Sequence, residues 1–345
     1  MSTPALTYSV RDRSILLPHY KRFLVEPLLP LIPKAISPNA ITHGGHLINL
    51  AALVLLLVAA KAMGGGWPFF AVPLLVHVWL WCDHADGGHA RRTNQCSAMG
   101  EYLDHGLDLL NATYVICMTV VTLGTPPFWS VAAAVIVPAA AAVTYWEQAE
   151  TGVFQLGLLN QIESVCSLTA ALFVRGLFGV TAISGVVVAG RSLSSIILMF
   201  VTVVALFGII RSAMRVASAK GRVTPFLPPM IFGAALAIAA RLGAVQTLAA
   251  ITCGASVYVY FGIRQLTFRV RGERPPFDAR VLVAAAVLAA IAVHFVVIGP
   301  GGGSVGATGT TFVAIVFGGL ALIHALEGHR AVERLERDTR VARDR

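Results

Sequence analysis

Asp83-His84-Ala85-Asp86-Gly87-Gly88-His89-Ala90-Arg91-Arg92-Thr93 is followed, after a short turn, by Gly100-Glu101-Tyr102-Leu103-Asp104-His105-Gly106-Leu107-Asp108. The informative positions are Asp83, Asp86, Gly87, Ala90, Arg91, Gly100, Asp104 and Asp108. Asp83 and Asp86 stand three apart and Asp104 and Asp108 four apart, so on helices each pair projects from one face. Two such helices facing each other would make an all-oxygen cage for divalent metal ions. An acid at mid-bilayer costs about 2.5–3.5 kcal/mol on the insertion scale, so something positive must offset the group.

The surroundings are oily. Of 345 residues, 57% are hydrophobic and only 12% charged, against about 25% charged in soluble proteins. Mean hydropathy is +0.76. The expectation is an all-α polytopic membrane bundle of about ten transmembrane helices, preceded by an interfacial amphipathic helix. The spans fall near about 40–62, 67–90, 98–123, 127–146, 154–177, 193–216, 226–242, 244–264, 279–299 and 307–327. The signature straddles the turn between the second and third.

The formal charge of +9 would suit a nucleic-acid binder, but its distribution argues otherwise. With both termini cytosolic, Lys61, Arg175, Arg191 and Arg241 fall outside and the remaining basic residues inside. An even number of spans gives that result. The basic excess is positive-inside bias plus attraction to anionic headgroups. Cys82, Cys96, Cys117, Cys166 and Cys253 show no C-x-x-C spacing, which points to free thiols. The first 38 residues hold prolines and scattered charges where a signal peptide would have an apolar run.

Four segments follow: residues 1–39, an interfacial amphipathic segment; 40–222, a six-helix core that carries the signature; 223–327, a four-helix membrane extension; and 328–345, a charged cytosolic tail, solvated helix or disordered. Pro38 should stop the interfacial helix and Asn39 cap the first span. Gly64–Gly66 and Gly301–Gly303 read as outer turns. Gly87 and Gly100 let a nucleotide or a neighbouring helix approach the backbone, and Ala90 extends that small surface. Arg91 offers a forked guanidinium to a diphosphate. Gly106 reads as a helix-packing glycine.

These residues at this spacing resemble the signature of the CDP-alcohol phosphotransferase family, membrane enzymes of phospholipid synthesis. Asp12-Arg13-Ser14 with Leu16-Leu17, Pro38-Asn39 with Ile41-Thr42, and Ala90-Arg91-Arg92-Thr93 are similar to the choline/ethanolamine phosphotransferase type. So are Gly100-Glu101 with Asp104-His105-Gly106, and Trp146-Glu147 with Thr151-Gly152, Asn160 and Glu163. The specific motifs cover residues 8–175; beyond them the likeness is one of hydropathy. Where that subfamily has Asn-Gly-Pro-x-Glu-Gly, this chain has Asn160-Gln161-Ile162-Glu163-Ser164, which leaves the alcohol open.

The resemblance implies attack of an acceptor hydroxyl on a CDP-alcohol, release of CMP, and two Mg²⁺ or Mn²⁺ ions. It assigns Asp83, Asp86 and Asp104 as metal ligands, with Asp108 completing the cage and serving as general base. Asp83, Gly87, Ala90, Arg91 and Gly100 would hold the nucleotide. His105 is the rival base: its unperturbed pKa suits the task, but it points about 100° from the Asp104–Asp108 face. The resemblance also implies a homodimer.

Tyr145, Trp146, Glu147, Glu150 and Glu163 bracket the loop between the fourth and fifth spans. Acids and aromatics suit a cationic headgroup, and Asn39, Trp146, Glu147, Asn160 and Glu163 are its candidates. This favours phosphocholine or phosphoethanolamine transfer to diacylglycerol. The alternative is a CDP-diacylglycerol enzyme acting on inositol phosphate or glycerol phosphate, which needs extra Arg or Lys near the pocket. A cation transporter is the alternative of another class, but its acids would be spread through the bilayer depth, whereas here they cluster at one end. An Ala- and Gly-rich composition favours a bacterial cytoplasmic membrane over the endoplasmic reticulum.

Overall fold

The computed structural model describes residues 9–62, 66–157, 159–299 and 303–343. Ten long helices dominate it: α1 (Pro38–Ala62), α2 (Pro68–Thr93), α3 (Ala98–Leu123), α4 (Pro127–Thr151), α5 (Gln161–Phe178), α6 (Leu193–Ser218), α7 (Leu227–Leu242), α8 (Thr247–Val270), α9 (Ala279–Ile298) and α10 (Gly303–Arg343). The all-α polytopic bundle is as expected. Among the described residues nine helices are long and apolar enough to cross a bilayer. The exception is α2, which is 26 residues long. Its C-terminal half carries Asp83, His84, Asp86, His89, Arg91 and Arg92, and these dilute its hydropathy.

Several boundaries differ from expectation. The fifth helix starts at Gln161, not near 154, because Gly152 (φ 72°) ends α4 and Val153–Gln155 is extended. The Asn160 side chain and Glu163 then form a capping box that starts α5. The charged tail continues α10 unbroken to Arg343. Within that tail a Glu336 carboxylate oxygen accepts from the Met99 N–H at 2.9 Å. An acid at the N-terminus of α3 has the sign the helix dipole favours. Gly64, Gly65, Gly301 and Gly302 of the expected turns lie outside the described residues.

The N-terminal segment is helical only in pieces, Leu17–Tyr20, Lys21–Val25, Glu26–Leu28 and Leu29–Leu31. Pro18, Pro27, Pro30 and Pro33 interrupt it, since proline has no N–H to give the ladder. Tyr20 and Val25 are buried in the core while Phe23 and Leu31 stay exposed. Ser37 caps α1, accepting from the Ala40 N–H at 3.2 Å; Asn39 does not, because α1 already begins at Pro38.

The chain forms two compact units, residues 1–124, 155–194 and 332–345, and residues 125–154 and 195–331. The first packs α1, α2, α3 and α5 around Leu56, Phe69, Val76, Trp79, Met118 and Leu168. In lipid this burial gains little from the hydrophobic effect, so close contact through small residues and dispersion decides which helices meet. Gly45 shows it: a Cβ there would lie 2.7 Å from the Cβ of Cys82, one residue before Asp83. Gly106, the expected packing glycine, has nothing within 4 Å of such a Cβ. Arg175 is buried, donates to the carbonyls of Val121 and Thr122, and lies 4.8 Å from the Phe69 ring centroid. It thereby serves carbonyls at the C-terminus of α3 that have no partner within the helix.

In the second unit, a Cβ on Gly254 would lie 2.7 Å from Val135, which draws α8 against α4. Trp146 stacks on Phe226 with ring centroids 4.8 Å apart. The Tyr258 hydroxyl donates to the Pro229 carbonyl at 2.9 Å.

Candidate metal and catalytic site

The turn between α2 and α3 follows from its residue types. Asn94 takes φ 56° after the last residue of α2, a left-handed conformation that Asn tolerates better than most residues. The Gln95 N–H then reaches the Ala90 carbonyl at 2.8 Å. Ser97 caps α3, its hydroxyl accepting from the Gly100 N–H at 3.0 Å. The last turns of α2 and the first turns of α3 thereby present their acids to each other.

One carboxylate oxygen from each of Asp83, Asp104 and Asp108 lies within 4.8 Å of the others. The Oδ1 of Asp108 is buried with no hydrogen-bond partner. Among the described residues no arginine or lysine forms an ion pair with the trio; the nearest basic atom is His84 Nδ1, 3.9 Å from Asp83. Three hard oxygen donors, one of them orphaned, fit a divalent cation such as Mg²⁺ or Mn²⁺.

Asp86 stands beside the trio rather than in it. Its Oδ2 accepts from the Thr42 hydroxyl at 2.6 Å and its Oδ1 from the Gly87 N–H. The three-residue spacing put Asp86 on the face of Asp83, and a hydroxyl one turn into α1 draws it aside. The other signature residues gather nearby. A Cβ on Gly87 would sit 3.4 Å from Arg91 Nη1, so the guanidinium folds back over that bare backbone. A Cβ on Gly100 would sit 3.3 Å from Asn39 Oδ1, which places Asn39 at the start of α3. Ala90 and His105 are buried.

The expected headgroup residues are otherwise engaged. Glu147 is fully buried, and Arg215 grips it twice, Nε to Oε1 and Nη2 to Oε2, the latter at 2.7 Å. Arg222 holds Glu150 through its N–H at 3.0 Å and its guanidinium at 3.1 Å. Trp146 is buried against Phe226 rather than standing in an interfacial belt. Asn160 Nδ2 donates to Asp12 at 2.9 Å. Glu163 accepts from the Ser14 hydroxyl at 2.7 Å, the Leu16 N–H at 3.0 Å and the Asn160 N–H at 3.1 Å. This corrects the cation-pocket reading: Glu147 and Glu150 are neutralised by arginines distant in sequence, and Glu163 ties the N-terminal segment to α5. The Asn160-x-x-Glu163 spacing is itself a capping signal, visible locally.

Sequence reasoning left His46 without a role and passed over Asn49 and Asn111. The structure joins these three side chains one turn below the carboxylates. A lone amide in an apolar span was the available signal.

Fold and site together define an integral, multi-pass membrane protein with a carboxylate cluster suited to a divalent cation. Residues 35–191 match the family described as CDP-alcohol phosphatidyltransferase. It is similar to cholinephosphotransferase 1 of Gallus gallus, 31% identical over 181 residues, 50% of this chain and 52% of the relative. The Xenopus laevis protein of the same name is 31% identical over 180 residues, 50% and 44% of the two chains. An uncharacterized CDP-alcohol phosphatidyltransferase class-I family protein 2 of Dictyostelium discoideum is 26% identical over 151 residues, 43% and 37%. The chain spans about half the length of the curated relatives it matches, or less. These relatives are eukaryotic.

Proposed function

We propose that this protein transfers a phospho-alcohol, phosphocholine or phosphoethanolamine, from a CDP-alcohol to diacylglycerol and releases CMP. The observation that carries this reading is the trio Asp83, Asp104 and Asp108, converging from two helices within 4.8 Å and without an arginine or lysine ion pair among the described residues. The likeness to cholinephosphotransferase 1 supports the choice of alcohol.

In this reading Asp83, Asp104 and Asp108, with Asp86 beside them, would hold two divalent ions. The chemistry supplied by bound Mg²⁺ or Mn²⁺ is neutralisation of charge on the diphosphate and on the departing oxygen. Gly87, Ala90 and Gly100 give the nucleotide access to backbone, and Arg91 forks onto the diphosphate. The acceptor oxygen forms the new P–O bond while the P–O bond to CMP breaks. The hydroxyl proton passes to Asp108, a role supported by its Oδ1 having no hydrogen-bond partner. His105 is the second candidate for that proton.

The catalytic core in this proposal is residues 40–222, with 223–327 as a membrane extension and both termini and the site cytosolic. By resemblance the enzyme works as a homodimer. CMP release from purified protein, with a panel of CDP-alcohols each offered with diacylglycerol, tests the reaction. CDP-choline or CDP-ethanolamine should serve; use of CDP-diacylglycerol with inositol phosphate or glycerol phosphate instead would replace the proposal. In a cysteine-free background, a cysteine at Val188 should label from outside and one at Thr339 should not. The reverse pattern would put the site on the wrong side for CDP substrates.

A further inference from the structure

Below the carboxylates lies a second polar group that the signature does not include. Asn111 follows Asp108 by three residues on α3, on the same face and about 4.5 Å deeper. His46 follows Thr42 by four residues on α1. His46 Nδ1 lies 3.1 Å from Asn111 Oδ1, and Asn49 Nδ2 donates to the same oxygen at 3.1 Å. An amide oxygen only accepts, so the proton of His46 sits on Nδ1 and its Nε2 is left as an acceptor. Asn49 is fully buried, and its Oδ1 has no hydrogen-bond partner. The His46 and Tyr114 rings stand 5.5 Å apart. The two rings are half-buried, whereas Asn49 and Asn111 are buried.

Three features set its ligand. The group is neutral, which disfavours the anionic diphosphate and any phosphate-bearing alcohol. It holds two acceptors, the buried Asn49 Oδ1 and His46 Nε2, and the proton of one hydroxyl can complete either of them. It lies within two helices long and apolar enough to cross the bilayer, where lipid rather than water is the surrounding medium. An uncharged lipid alcohol meets all three conditions; a water-soluble headgroup meets only the second.

We infer that His46, Asn49 and Asn111 form an entry subsite for the acceptor, binding the free hydroxyl of diacylglycerol one turn below Asp108 before it moves up to give its proton to that carboxylate. This rests on the proposed reaction for its catalytic meaning, but not for its binding test. These are positioning and specificity residues; the phosphorus chemistry stays with the carboxylates. The arrangement also gives Asn49 a reason to keep an unpaired oxygen in lipid, an arrangement that is unfavourable unless a ligand completes it.

Binding of a fluorescent diacylglycerol to the purified protein in detergent, with no CDP-alcohol present, tests the inference directly. His46→Phe and Asn49→Leu should each weaken binding about five- to tenfold, the loss of one hydrogen bond to a buried acceptor. The same lipid with its hydroxyl acetylated should bind the wild type as weakly as free diacylglycerol binds the variants. In turnover, the KM for diacylglycerol should rise by a similar factor while the KM for CDP-choline stays within about twofold. His46→Gln, which keeps an acceptor, should recover part of the loss. Should Asn49→Leu fail to fold, the two variants at half-buried His46 decide the matter. Hydroxyl-independent lipid binding, or variants that bind diacylglycerol like the wild type, would overturn the inference and leave the proposed reaction standing. Wild type that binds diacylglycerol through its hydroxyl yet releases no CMP would support the site and sink the reaction.

Discussion

The acids of the two units are treated in opposite ways. In the second unit Glu147 is gripped by Arg215 and Glu150 by Arg222. Asp278, just before α9, receives two hydrogen bonds from the Arg280 guanidinium, one from the Arg280 N–H and one from Tyr260, with Arg264 3.6 Å away. Burial pushes the Asp278 carboxyl up, but those bonds and charges outweigh it and hold it below the usual carboxylate range. In the first unit Asp83, Asp104 and Asp108 face one another with no arginine or lysine ion pair among the described residues. Buried charges are paired or coordinate metals. Charges already paired inside the chain hold structure together, while like charges gathered without a partner mark the place reserved for a ligand.

The contrast breaks most visibly at Asp108. Asp108→Asn keeps the volume but removes a ligand charge and the proton acceptor, and turnover should fall about 10²- to 10⁴-fold or more. His105→Ala should leave measurable turnover. An inactive His105→Ala protein that still binds metal and donor would move the base to the histidine.

Asp278→Asn is the matching test on the other side. It strands Arg264, which is only 3% exposed, and breaking a buried pair costs about 3–5 kcal/mol. The thermal midpoint should drop by several degrees while CMP release per folded molecule holds. A stable variant with lost turnover would mean that the paired acids are functional after all.

Smaller effects sharpen the comparison. Glu147→Gln should lower stability without raising the KM for CDP-choline, because its charge is consumed by Arg215. A raised donor KM would restore Glu147 to the headgroup. Glu163→Gln weakens a capping box and the tie to Ser14 and Leu16, a loss of about 1 kcal/mol. Donor affinity should not change.

Much of this was legible in the chain. Nine of the ten long helices announced themselves through hydropathy, because the bilayer demands about 20 apolar residues per span, while α2 carries the charged signature at its end. The carboxylate trio was legible because helical spacing fixes which side chains share a face. The fate of Glu147 and Glu150 was not, because Arg215 and Arg222 lie far away in sequence and meet them only when the helices pack. The contact of Asp86 with Thr42 was hidden for the same reason, Thr42 being on another helix. The start of α5 could have been read from Asn160 and Glu163, a local signal. The His46–Asn49–Asn111 group could not, since three lone polar residues on two spans show no pattern until α1 meets α3.

The most direct test of the central claim is CMP release from purified protein stripped with EDTA and then titrated with Mg²⁺ or Mn²⁺, given CDP-choline and diacylglycerol. The account predicts no turnover in chelator, recovery on adding either ion, and no recovery in Asp104→Asn. Full turnover in EDTA, or an Asp104→Asn protein that responds to metal like the wild type, would contradict it.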